Sequence, residues 1–190
     1  MKNTTYALKE VKVGTFLIAE PFLADSYHKR AVVIVGEHND EGTVGFILNK
    51  PTDLTLNEAL EGFPKCNFNL YFGGPVKTDT IHFIHTFGNK LEGCKEIAPG
   101  VYWGGDLDTL KFMIETNQVG ENDVRFFAGY SGWEPDQINA ELKSRAWFVT
   151  NSKKSFAFSN EPENLWSEVL KTMGSNFSVL ANCPSDPSLN

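Results

Sequence analysis

Val124-Arg125-Phe126-Phe127-Ala128-Gly129-Tyr130-Ser131-Gly132-Trp133 is the stretch on which the reading of this chain turns. Residues 124–128 are apolar and aromatic around one arginine, the pattern of a buried strand. Gly129 and Gly132 bracket Tyr130-Ser131, so the strand is expected to break there, and Pro135 suits the first turn of a following helix. A serine between strand and helix is the setting of a nucleophile elbow, where a strained turn exposes the hydroxyl beside backbone amides. The spacing does not complete that motif, because Trp133 stands where the second glycine belongs. The elbow's chain order, with histidine last, is also absent: His28, His38, His82 and His85 all precede Ser131. A tight turn carrying a small residue is the simpler expectation.

On either side the chain alternates short apolar runs with glycine-rich bends. Strands are expected at Thr15–Ala19 and at residues 31–35, 44–48, 69–72, 81–87, 100–103 and 146–150. The run at 31–35 is continuous in β-branched residues and is expected to be buried on both faces. With 44–48 it forms a hairpin across the polar stretch 36–42. Phe156 and Phe158 alternate with smaller neighbours and suggest a last short strand. Helices are expected after Thr55, where Glu58 completes capping-box spacing; after Asp106 or Asp108, with Leu107, Leu110, Met113 and Ile114 on one face; and after Asn160, with Leu165, Trp166, Val169, Leu170 and Met173 inward and Gly174 as the stop. The order gives an α/β (α+β) class, one compact domain over residues 1–180 with a mixed sheet, and a flexible tail over 181–190.

The chain has 190 residues, 41% of them hydrophobic and 13% aromatic, enough to build a core without a disulfide or metal. Its net charge of −7 argues against direct duplex binding and against an anionic membrane surface as a partner. The charge is uneven: residues 1–50 carry six basic and six acidic groups, so the whole deficit lies beyond them. Cys66, Cys94 and Cys183 are far apart and fit reduced thiols in a cytoplasmic protein. The apolar runs are too short to span a bilayer.

No residue set completes a metal or cofactor site. His82 and His85 fall in a predicted strand, where a separation of three puts them on opposite faces. His38 lies in an acidic loop. Gly73-Gly74 and Gly104-Gly105 follow apolar strands, and Asp106 beside the second pair would repel a phosphate. A ligand cleft, if the bends gather one, would draw on Asn49, Lys50, Gly73, Gly74, Gly105, Asp106, Arg125, Ser131 and Trp133. It would take a small molecule or nucleotide, and a hydrolase is the catalytic version of the same reading. Without a complete constellation the chain reads instead as a non-catalytic regulatory or protein-interaction domain, with no cofactor and a protein as its partner.

The bends taken together resemble a known family. Gly14-Thr15-Phe16-Leu17-Ile18-Ala19 with Pro21, Glu37-His38-Asn39 with Gly42, Gly45, Leu48, Asn49, Lys50 and Pro51, then Gly73-Gly74-Pro75-Val76, Ile81-His82-Phe83-Ile84-His85, Gly100-Val101-Tyr102-Trp103-Gly104-Gly105-Asp106, Arg125 to Trp133, and Leu165-Trp166 are similar to the YqgE/AlgH family in order and spacing. The likeness runs over residues 10–175. It implies a compact α/β fold with a partly barrel-like mixed sheet, a bacterial cytosolic protein and the family's transcriptional-regulator label. It carries over no catalytic residue. Before Gln137, where the family often shows glycine, this chain has Asp136.

Overall fold

The computed structural model describes residues 10–184. In chain order its elements are β1 (Thr15–Ala19), β2 (Val32–Asn39), β3 (Gly42–Ile47), β4 (Pro51–Thr55), α1 (Leu56–Ala59), β5 (Asn69–Phe72), β6 (Val76–His85), β7 (Lys95–Ala98), β8 (Val101–Trp103), α2 (Leu107–Glu115), β9 (Val124–Trp133), α3 (Gln137–Lys143), β10 (Trp147–Asn151), α4 (Lys154–Ala157), α5 (Pro162–Thr172) and α6 (Ser175–Ala181). The strands form one ten-stranded sheet that curls into a half-barrel, in the order β10-β1-β2-β3-β9-β6-β8-β7, with β4 and β5 branching from β9. Its pairings are antiparallel except β5 with β9.

Alternation along the strands sends side chains into separate cores. Phe16 and Ile18 of β1 join Val32, Ile34, Phe46 and Phe127 in a core roofed by α5 and α6. Leu17 and Ala19 face the other way, with Val33, Val35 and Ile47, against Ile138 and Leu142 of α3. A third core packs Phe126, Leu70 and Phe83 against Leu110 and Met113 of α2. β2 is thus buried on both faces, as its β-branched run implies. In α5, Leu165, Trp166, Val169 and Leu170 are buried, each removing apolar area worth about 1.5–3 kcal/mol.

Several local expectations need correction. β9 does not break at Gly129 but runs unbroken to Trp133, because its second half pairs with β3 through Gly45↔Ser131 and Thr43↔Trp133. Most of the polar stretch 36–42 is strand, and the hairpin turn is reduced to Asp40-Glu41. Phe156 and Phe158 belong to a helical turn and its cap rather than a strand; Ala157 and Phe158 are buried in succession, which alternation forbids. α5 begins at Pro162, whose fixed φ suits a first helical position, with Glu161 rather than Asn160 as its cap. Ala59 is exposed, so α1 turns only Leu56 fully inward. The strands β4 and β7 and the helix α6 add to the predicted set. Of the tail expected over residues 181–190, Ala181 is buried and the Cys183 carbonyl accepts from Arg30 at 2.5 Å; residues 185–190 lie outside the described residues.

Candidate functional site

β9 sits between the two strands of a hairpin. β5 lies parallel to it on one edge (Leu70↔Phe126, Phe72↔Ala128) and β6 antiparallel on the other (Val76↔Tyr130, Ile81↔Ala128). The link Gly73-Gly74-Pro75 therefore crosses over β9. It crosses where backbones meet: a β-carbon on Gly73 would stand 2.3 Å from the Gly129 carbonyl oxygen, and one on Gly74 2.3 Å from the Ser131 nitrogen. Gly74 also has φ +152°. These glycines answer to a crossing of chains, and Gly129 is no local turn.

Ser131 clasps the crossing. Its hydroxyl donates to the Gly73 carbonyl at 3.1 Å, which also receives the Ile47 amide at 3.0 Å. Nε2 of His28 lies 3.0 Å from the same hydroxyl oxygen, and Nδ1 of His28 lies 2.7 Å from Oδ2 of Asp25. Asp25, His28 and Ser131 thus have the connectivity of a serine-hydrolase triad, in the order aspartate, histidine, serine that one hydrolase class uses. The sequence reading missed it because it weighed only orders with a histidine after the serine. The visible signal was Asp25-x-x-His28 in a turn.

The surroundings close this triad. Ser131 is 0% exposed and His28 9%. The His28 ring lies between two indoles, 5.8 Å from Trp133 and 5.4 Å from Trp147 by centroids. Both indole nitrogens donate to Oε2 of Glu141, at 3.0 and 2.7 Å. Both nitrogens of the His28 ring are thus engaged, Nδ1 with Asp25 and Nε2 with the Ser131 hydroxyl oxygen, while that hydroxyl also bonds the Gly73 carbonyl. Asp25 is desolvated, which raises its pKa, yet the His28 contact and the Tyr27 amide outweigh this and hold the carboxyl below its ordinary range.

The other sequence-predicted residues lie elsewhere. Arg125 is buried without a carboxylate: Nη1 donates to the Leu48 carbonyl at 2.9 Å, Nη2 to that of Ser159, and the guanidinium stacks 4.3 Å over Tyr71. Burial pulls its pKa down. Asp106 caps α2, accepting from the Thr109 amide at 2.8 Å and from the Thr109 hydroxyl; the hydroxyl bond first, and then the amide bond, lowers its pKa. Gly105 packs against Leu91. His85, buried on β6, donates from Nε2 to the Gly104 carbonyl at 2.9 Å and accepts the Phe87 amide at Nδ1; burial lowers its pKa, as it does for His82. Trp133 borders a cavity of about 350 Å³ with Glu37, Glu41 and Glu134. Asn49 and Lys50 share a different cavity of about 380 Å³. The structure therefore brings together Gly73, Gly74, Ser131 and Trp133 around β9, and Asn49 with Lys50, but not all nine residues in one cleft. Among the described residues no group of three or more His, Cys, Asp or Glu side chains is placed to hold a metal ion.

A family model described as AlgH-like matches residues 16–178. The UPF0301 protein of Chlorobaculum parvum is 39% identical over 180 residues, covering 95% of this chain and 96% of that one. That of Cytophaga hutchinsonii is 42% identical over 178 residues, covering 93% and 98%. The solution structure of the AlgH protein from Pseudomonas aeruginosa superposes with a TM-score of 0.72 at 29% identity, covering 93% of this chain and 98% of that one. A crystal structure of a Corynebacterium diphtheriae protein reaches 0.79 at 19% identity, covering 93% and 95%, a likeness of fold alone.

Proposed function

Since this chain belongs to the AlgH-like family, we propose that it is a non-catalytic member which works by recognition, as a regulatory domain that binds a partner protein. The sealed clasp at Ser131 is the observation that carries this reading. Its Oγ, the one atom of the Asp25–His28–Ser131 chain able to attack a substrate, has no exposed surface and spends its proton on the Gly73 carbonyl. Its strand is paired with β3 and β6 on both edges, so no loop opens to admit an ester or acyl group. The net charge of −7 favours a protein partner over direct contact with DNA. Among the described residues no helix is long and apolar enough to cross a membrane.

A turnover screen tests the reading. The folded protein and its Ser131→Ala variant are compared on p-nitrophenyl esters, thioesters and phosphate esters. Recognition without chemistry predicts no difference between them and no rate above the uncatalysed background. Turnover that disappears in Ser131→Ala would overturn it.

The cavity at Asn49 and Lys50 favours a second reading, in which the regulatory output depends on a small molecule held there.

A further inference from the structure

The cavity of about 380 Å³ lies between the turn that precedes β2 and the start of α5, and Lys29, Arg30, Asn49, Lys50, Glu163 and Trp166 line it. Three cations thus face one carboxylate, a local charge of +2 in a chain whose total is −7. Among the described residues the ion pairs are Lys12–Glu10, His28–Asp25 and Lys111–Asp108, so none of the three cavity cations is neutralised by direct pairing. With 24 carboxylates available, cations left unpaired on one concavity are a feature to be explained.

Arg30 is the most constrained of them. Its φ is +54°, a left-handed conformation that L residues keep only where the surroundings enforce it. Asn49 enforces it: Nδ2 donates to the Arg30 carbonyl at 2.9 Å, while Oδ1 accepts the Val32 amide at 2.9 Å. The guanidinium then lies 4.5 Å over the Trp166 ring, and Trp166 is itself fixed by an Nε1 bond to the Ala19 carbonyl at 2.9 Å. Nη2 is taken by the Cys183 carbonyl, but Nε is buried with no acceptor. Among the described residues Nη1 makes no hydrogen bond and, unlike Nε, is not buried, so it is the part of the guanidinium left for an oxyanion in the cavity. Lys50 donates to the Tyr27 and Ser26 carbonyls at 2.6 and 3.4 Å and keeps one N–H free. Desolvation draws its pKa down although nearby Asp25 opposes this, so a bound anion would restore its ordinary basicity. Lys29 is exposed at the mouth.

We propose that this cavity binds a small phosphorylated metabolite, with its phosphate between Arg30, Lys50 and Lys29 and its organic part toward Pro162 and Glu163 at the start of α5. The assignment rests on the second reading above and names its ligand class. The room available is that of a small-molecule pocket and exceeds what one orthophosphate fills. Glu163, exposed at the rim, accepts from a hydroxyl of the organic part and disfavours a second phosphate there.

Isothermal titration at constant ionic strength tests it with inorganic phosphate, with three phosphomonoesters (ribose 5-phosphate, glycerol 3-phosphate and AMP), and with unphosphorylated ribose. At least one ester is expected to bind saturably, about tenfold or more tighter than inorganic phosphate, with no binding of ribose. Lys29→Ala, at an exposed position, should weaken it about fivefold or more, and Arg30→Asn, which tolerates the left-handed backbone, should abolish it. Lys111→Ala, on α2, should leave it unchanged. No saturable binding of any ester, preference for inorganic phosphate, or equal losses in Lys111→Ala would overturn the assignment. ³¹P spectra of the same mixtures separate the two ideas. An ester bound through Lys29 and Arg30 but hydrolysed sinks recognition without chemistry and leaves the cavity standing; an ester left intact and unbound does the reverse.

Discussion

The hydroxyl of Ser131 and the carbonyl of Gly73 are joined at 3.1 Å across 58 residues of chain, at the point where the β5–β6 link passes over β9. That bond holds a backbone crossing together, and His28 and Asp25 extend it to the surface. A constellation with the connectivity of a hydrolase triad is here a fastener.

The fastener's worth can be measured by removing the hydroxyl. Ser131→Ala leaves the buried Nε2 of His28 without its partner, a loss of about 1–3 kcal/mol. Urea unfolding should show a lower midpoint with an unchanged slope. An unchanged midpoint would mean that the bond contributes nothing to the crossing.

The two glycine bends differ in what they would meet. At Gly74 a methyl group strikes the β9 backbone at 2.3 Å, which no rotamer change relieves; at Gly105 it meets the Leu91 side chain at 2.9 Å. Gly74→Ala is expected to be much the worse, to the point of losing soluble folded protein, and Gly105→Ala to fold with a reduced melting temperature. Equal melting temperatures for the two variants and the parent would contradict the crossing.

Arg125 joins β9, the end of β3 and the segment before α5 through two carbonyls. Arg125→Lys keeps the charge but cannot serve both carbonyls in the same plane or stack on Tyr71, so it should cost about 1–3 kcal/mol in chemical denaturation. A conservative outcome, with no loss, would mean that only the positive charge matters.

His85 gives a pH dependence. Its pKa is lowered in the fold from the ordinary value of 6.5, so the unfolded chain binds the proton more readily. The stability it contributes is complete above pH 6.5 and is lost as pH falls below that value toward the folded pKa. Nitrogen NMR should find its proton on Nε2, with the ring still neutral somewhat below pH 6.5. A ring already cationic at pH 6.5 would reverse the sign.

How much of this was legible in the sequence depends on the range of the forces involved. Thr15–Ala19 and Asn69–Phe72 were readable to the residue because β-branched and aromatic runs between breakers record strand burial locally. Asp106 was readable as a cap because its partner Thr109 is one turn away. Gly129 was misread because its glycine answers to Gly74 and Val76, more than fifty residues upstream, and not to its own neighbours. The contact of His28 with Ser131 spans 103 residues and leaves no local pattern. Asn49 and Lys50 were named from their position at a strand end, but Lys29, Arg30 and Trp166, which share their cavity, come together only through the packing of α5 on the sheet. Asp136 shows the converse: it holds φ +63°, a conformation usually left to glycine that aspartate tolerates better than most residues.

Whether Ser131 is a fastener or a nucleophile is decided most directly by intact-mass spectrometry after exposing the native protein to a fluorophosphonate. The sealed clasp predicts an unmodified chain, with phosphonylation only after denaturation and no more than any other serine acquires. One adduct per native molecule, mapped to Ser131 and lost in His28→Gln, would contradict it.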